Sequence, residues 1–274
     1  MMMPHGAQDG PRRWPEALPG LSLSRQDAVV LLRINAPPLN LLTQVIRRSL
    51  GDAFLAAAAD DSVRCVVFLP GPAHLCAGAD LSEFPARRDP AVAAAHADNA
   101  QRMILALVRC PKPVLVAAEG ACLGGGYELA LGCDLIIAAR NARVGLPEVH
   151  RGVWPGTGGL PLLARRVGPA RAKGLAWAGE VLEAEPAYRQ GLVDQLVEAG
   201  QAETAAVEQA ARLAHAPAGS VRDIKSMIDH AFIAAFRAHL AVEHAAYVEV
   251  FGRADATEGF TAFREKRPPR WLHR

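Results

Sequence analysis

Between residues 118 and 148 the chain carries three consecutive glycines, Gly124, Gly125 and Gly126, then Glu128, and twenty residues later Glu148. Bare amides and a pair of carboxylates are the parts needed to manage an enolate. Fixed N–H donors hold negative charge on a carbonyl oxygen, and acid and base groups move protons at the carbon beside it. The apolar, β-branched run Pro113–Ala118 predicts a buried strand, and Gly120 breaks it. Without Cβ atoms the glycines allow a sharp turn and close backbone approach to a ligand. Tyr127–Leu131 then reads as the first turns of a helix, which leaves the glycine amides as unpaired donors at a positive dipole end, where anions bind. Glu128 falls on that first turn. Asp134–Ala139 predicts the next strand, and Pro147, Glu148 and Val149 a loop after it, so Glu148 must arrive from elsewhere in the fold.

Two rival readings compete. In the bland one the glycines merely pack a helix on a strand while both glutamates sit in solvent, where Glu usually is. The sharper rival is a dinucleotide fold of the short-chain dehydrogenase kind, with Arg140 ending the following strand. It fails on context, because the glycines lie at mid-chain, the GxGxxG spacing is absent, and none of Tyr127, Tyr188 and Tyr247 has Lys four residues on.

The stretch GACLGGGYELALGCDLIIAARNARVGLPEVHRGVWPGTGG resembles the signature of the enoyl-CoA hydratase/isomerase (crotonase) superfamily. It is most similar to the hydratase portion of multifunctional β-oxidation enzymes, in ELALGC, VGLPEV and Pro37-Pro38-Leu39-Asn40. The resemblance continues through His74–Leu81, similar to the first oxyanion loop, and through Glu258–Arg267, covering Ser24 to the C-terminus. It implies an α/β fold, a crotonase-like spiral of repeated ββα units with a helical C-terminal region. It also implies an oxyanion hole from the Ala79 and Gly125 amides, catalytic Glu128 and Glu148, and acyl-CoA contacts from Ala77, Asp80, Leu81, Phe263 and Lys266, the last two toward the adenosine phosphate end. The implied activity is a hydro-lyase one: an enoyl-CoA hydratase that adds water to a trans-2-enoyl-CoA. One glutamate would activate water and the other exchange the Cα proton. Like charges held close help keep one of the pair protonated.

Coenzyme A would enter as part of the substrate, with no separate cofactor, and relatives assemble as trimers and hexamers. Isomerase, decarboxylase, lyase or thioester hydrolase chemistry on the same fold stays open, as does a non-catalytic, RNA-binding relative. Tyr127, where relatives carry Cys or an aliphatic residue, and Leu160-Pro161 after the glycine loop put the acyl group in doubt. His150 and Trp154 could line its pocket, whose walls would come from variable loops, including Pro85–Ala100, and from the C-terminal helices.

Composition agrees with an ordinary enzyme. The chain has 274 residues, 51% of them hydrophobic, and a formal charge of +2, enough for a sizeable core and close to neutral, which argues against a nucleic-acid partner. Arg12-Arg13, Arg87-Arg88 and Arg165-Arg166 read mainly as solvated surface charge, with phosphate contact to coenzyme A the minority reading near Arg87-Arg88. Cys65, Cys76, Cys110, Cys122 and Cys133 contain no CxxC pair and read as reduced thiols of a cytoplasmic protein. The nine histidines lack HxH or HxxxH spacing, so no metal is expected. No apolar run reaches the ~18 residues of a membrane span. Residues 1–23 read as a disordered extension rather than a signal peptide, 24–200 as the catalytic core, and 201–274 as helices for assembly and the acyl-CoA pocket. Strands are expected at Ala28–Ile34, Val63–Leu69, Val114–Ala118 and Leu135–Ala139, with helices at Leu42–Ala59, Gln201–His215 and Ser220–Tyr247.

Overall fold

A computed structural model of the protein describes residues 14–273. Strands β1 (Leu21–Gln26) and β2 (Val29–Ile34) form a hairpin, followed by α1 (Gln44–Ala59), β3 (Cys65–Leu69) and α2 (Pro90–Val108). Next come β4 (Val114–Ala118), β5 (Ala121–Leu123), α3 (Gly125–Leu131), β6 (Leu135–Ala139) and β7 (Arg143–Gly145). Helices α4 (Gly159–Val167) and α5 (Pro169–Ala178), β8 (Val181–Glu183), α6 (Ala184–Arg189) and β9 (Gln195–Val197) lead to α7 (Ala202–His215), α8 (Ala218–Phe251) and α9 (Ala254–Arg264).

The large sheet runs β1-β2-β3-β4-β6-β9 and the small one β5-β7-β8. Within the large sheet only β1 is antiparallel, as expected where helices cross between strands. After each central strand the chain visits a second, shorter layer before its helix. Leu42 bridges Ala79, Cys76 bridges Cys122, and β5 pairs with β7. This strand, short strand, helix repeat is the expected ββα spiral.

Both faces of the large sheet are covered at its centre, so strands β2, β3 and β4 are apolar on both sides. Val30, Leu32, Val66, Phe68, Val114 and Val116 enter the main core. Val29, Leu31, Cys65, Val67, Leu115 and Ala117 face Ala202, Ala206 and Ala210 of α7. These small alanines let the helix lie close to the sheet. Helix α8, 34 residues long, packs along α2 and carries Tyr247 and Phe251 toward α9.

Several expectations need correction. Residues 14–23 are part of the fold rather than a loose extension: Trp14 donates to Asp60 at 2.7 Å, and Leu21 opens the strand that pairs with β2. Residues 1–13, including Arg12-Arg13, lie outside the described residues. Helix α1 starts two residues later than expected, because Leu42 bridges Ala79 and Thr43 caps the helix through the Ile46 amide. Most of Pro85–Ala100 is helix, since Asp89 caps α2 and Pro90 fits its first position. All five cysteines are buried free thiols. Among the described residues no helix is long and apolar enough to cross a membrane, and no cluster of three His, Cys, Asp or Glu could hold a metal.

Candidate active site

A cavity of about 490 Å³ opens where the glycine turn, the His74–Leu81 loop, the Glu148 turn and the C-terminal helices meet. Ala77, Ala79, Asp80, Leu81, Gly125, Glu128, Glu148 and Phe263 all line it. Residues distant in sequence are thus brought to one place.

Gly124 sets the geometry of the turn. It holds φ 51°, ψ −128°, a conformation open to glycine, and a Cβ there would stand 2.9 Å from Glu148 Oε1. Immediately after it, the Gly125 amide starts α3 with no acceptor among the described residues. The Ala79 amide also donates to nothing among the described residues, because the bridge to Leu42 uses the Gly78 carbonyl and the Asp80 amide on either side. A Cβ on Gly125 would lie 3.8 Å from Ala79 N, so the two unused donors are neighbours.

The two glutamates differ in their surroundings. Glu128, on the first turn of α3, is 3% exposed, and its Oε1 accepts from Thr157 N at 2.7 Å and Gly159 N at 3.1 Å. Burial pushes its carboxyl above the ordinary range, opposed by the Thr157 amide, the Arg47 charge and the Gly159 amide. Glu148 starts a 3-10 turn, Glu148–Arg151, after β7. Its Oε2 is enclosed without a partner. Burial first, and then the charge on Glu128, raises its carboxyl to about 8. A third carboxyl, Glu243 of α8, accepts from Gly158 N at 2.9 Å, and burial with the Glu128 charge raises it to about 8 as well. The glycine loop 156–159 is therefore held between Glu128 and Glu243.

Asp80 lines the cavity, yet its carboxylate accepts from Ser82 N at 2.9 Å and caps a turn. Phe263 stands at the rim under the Arg151 guanidinium, 4.3 Å from its ring centroid. Lys266 is exposed beyond the end of α9 and does not join the lining. Trp154 is in the wall, whereas His150 is exposed outside it. Tyr127 points away: it is 1% exposed, and its hydroxyl donates to Leu192 O at 2.8 Å inside the core. The substitution that put the acyl group in doubt does not touch the cavity.

Sequence reasoning missed Glu243, which holds the glycine loop, and Tyr247 and Arg47 in the wall; Arg87, also in the wall, was placed near substrate only as a minority reading. Arg87 is 2% exposed, which corrects its reading as surface charge. Arg165 and Arg166 do pair at the periphery, with Asp229 and Asp194.

Comparison with known proteins matches residues 24–274 to the Enoyl-CoA hydratase/isomerase family. Rattus norvegicus mitochondrial methylglutaconyl-CoA hydratase is 35% identical over 249 residues, 89% of this chain and 79% of that protein. Escherichia coli K12 2,3-dehydroadipyl-CoA hydratase is 34% identical over 250 residues, covering 91% and 97%. A crystal structure of an enoyl-CoA hydratase from Mycobacterium avium subsp. paratuberculosis superposes with a TM-score of 0.84 at 29% identity, covering 93% of this chain and all of that one.

Proposed function

Since the chain belongs to the enoyl-CoA hydratase/isomerase family, we propose that it hydrates a trans-2-enoyl-CoA to the 3-hydroxyacyl-CoA. The observation that carries this reading is the convergence of two unlike glutamates and two unused amides in one cavity. In the reaction the thioester carbonyl sits on the Ala79 and Gly125 amides. Water attacks Cβ and gives its proton to the Glu128 carboxylate, which the Thr157 and Gly159 amides hold in place. Electron density moves onto the thioester oxygen, where the fixed amides stabilise it; one such donor is worth roughly 3–4 kcal/mol in other enzymes. Glu148, kept in its acid form by burial and by the charge of Glu128, delivers a proton to Cα as the enolate collapses. Ala77, Asp80, Leu81 and Phe263 border the acyl-CoA path, and Lys266 serves its phosphate end. The relatives' names cover more than one acyl group, so family membership alone leaves the acyl group open.

Loss of the conjugated-thioester absorbance across a panel of enoyl-CoA esters tests the assignment. A wild-type protein that hydrates none of them moves it to isomerase, lyase or hydrolase chemistry. The pH profile adds a second check. Glu148 is used as an acid, so raising the pH through its value of about 8 removes the active form, and kcat/KM is expected to fall on the alkaline side there. A profile still rising past pH 9 would contradict that role.

Assembly as a trimer or hexamer is part of the same proposal. Met227 and Ile228 on α8 and Trp177 on α5 are 76%, 67% and 74% exposed in the single chain, an apolar surface suited to burial between subunits. Light scattering at micromolar concentration is expected to give three or six copies; a monomer would reject it.

A further inference from the structure

Of the two arginines in the cavity wall, Arg47 lacks the partners that a buried guanidinium group requires, and Arg87 has only part of its set. A buried charge is ordinarily paired with an opposite one, and each guanidinium has five N–H donors to satisfy. Arg47, on α1, is 4% exposed, and its Nε and Nη1 are enclosed with no hydrogen-bond partner. Among the described residues no carboxylate oxygen lies within 4 Å of it. Glu128 feels its charge, but the Glu128 oxygen that makes hydrogen bonds is committed to the Thr157 and Gly159 amides.

Arg87 is only partly satisfied. It donates to the Tyr247 hydroxyl at 3.0 Å and to Glu83 at 3.3 Å, lies over the Phe84 ring at 4.5 Å, and leaves its Nε unpartnered. Glu83 is shared further, with the Gln44 amide and with His96. Burial, with the charges of Arg87 and Arg47, drives His96 down to about 3, so it stays neutral. Two like charges and a hydroxyl with a proton to donate therefore border a cavity that also has the apolar side chains Leu39, Leu81, Trp154 and Phe251 in its wall, besides the carboxyls of Asp80, Glu128 and Glu148. The arrangement is costly when empty and favourable around an anion.

Distance to the reacting end limits the size of that anion's carrier. Arg47 Nη2 lies 3.6 Å, and Ala79 N 3.8 Å, from the point where a Cβ on Gly125 would stand. We infer that the site is built for acyl-CoA esters whose short acyl group carries a second carboxylate, held by Arg47, Arg87 and the Tyr247 hydroxyl. This rests on the acyl-CoA reading of the cavity but not on the hydration step. It assigns Arg47 and Arg87 as specificity residues that neutralise the acyl end while Ala79 and Gly125 take the thioester.

Titration calorimetry on the full chain with unreactive saturated esters tests it, using pairs of equal length: glutaryl-CoA against pentanoyl-CoA, and adipyl-CoA against hexanoyl-CoA. A charge-assisted pair in a dry site predicts that the carboxylate member of at least one pair binds about tenfold tighter or better. Arg47→Met and Arg87→Met should each erase most of that gap, and Arg47→Lys should keep part of it. Equal or weaker binding of both carboxylate esters by wild type would overturn the inference, as would a gap that survives Arg47→Met. Should that variant fail to fold, the wild-type pairs decide alone. A carboxylate preference in a protein that hydrates no enoyl-CoA upholds the inference and removes the hydratase reading. Hydration of crotonyl-CoA with no such preference does the reverse, and failure of all four esters to bind removes both.

Discussion

Glu128→Gln and Glu148→Gln are each expected to lower enoyl-CoA hydration by at least ~10²-fold, the usual loss when a positioned acid or base is removed. Gln keeps the size of the side chain. At position 128 its carbonyl oxygen can still accept from the Thr157 and Gly159 amides, so the glycine loop should hold its shape. At position 148 the enclosed Oε2 already lacks a partner, so the fold should tolerate an amide. Binding of saturated acyl-CoA should persist in both variants, because the thioester is assigned to backbone donors. Two groups acting in one step are not additive, so the double variant should be little worse than either single one. Exchange of solvent deuterium at Cα of the 3-hydroxyacyl product should suffer mainly from the Glu148 change. Wild-type turnover in either single variant would remove the two-glutamate mechanism.

Gly124→Ala should damage stability and activity together. A non-glycine residue at φ 51°, ψ −128° carries backbone strain, on the order of 1–3 kcal/mol. The added methyl would also stand 2.9 Å from Glu148 Oε1, pushing that carboxylate aside or moving the Gly125 amide that follows. Loss or displacement of one oxyanion donor costs ~10²-fold or more elsewhere, and a fall of at least about tenfold in kcat is expected. Gly200→Ala separates the two effects. Gly200 has φ 81° with nothing within 4 Å of its would-be Cβ and lies outside the cavity, so its Tm should fall with kcat unchanged. Equal kcat in Gly124→Ala and wild type would mean that the turn does not position the site.

The central strands and the long helices were legible from sequence because each carries a local signal. β4 and β6 are short apolar runs bounded by breakers, and α7 and α8 are long periodic stretches whose ends shift by only a few residues. The hairpin strand β1 was missed. All but its first residue is exposed, its alternation is confined to Leu21-Ser22-Leu23-Ser24, and it is held by backbone pairing to β2. Strands β5, β7 and β8 have three residues each, too few to show a period of two.

At the site, the sequence by itself determined the residue types: Gly124 and Gly125, two glutamates, and two small residues at Ala77 and Ala79 line the cavity, while the third glycine, Gly126, packs against Cys76. Tertiary structure decided what those residues face. Nothing local distinguishes Glu128, whose Oε1 accepts from the Thr157 and Gly159 amides, from Glu148, whose oxygen is left unpartnered, or draws Glu243 in from α8. Arg87 and Arg88 are adjacent and alike in sequence, yet one is buried in the cavity wall and the other exposed. Tyr127, beside a catalytic candidate, is turned into the core. Side-chain type is a property of one residue; burial, field and the presence of a partner belong to every segment packed around it, and those set the chemistry here.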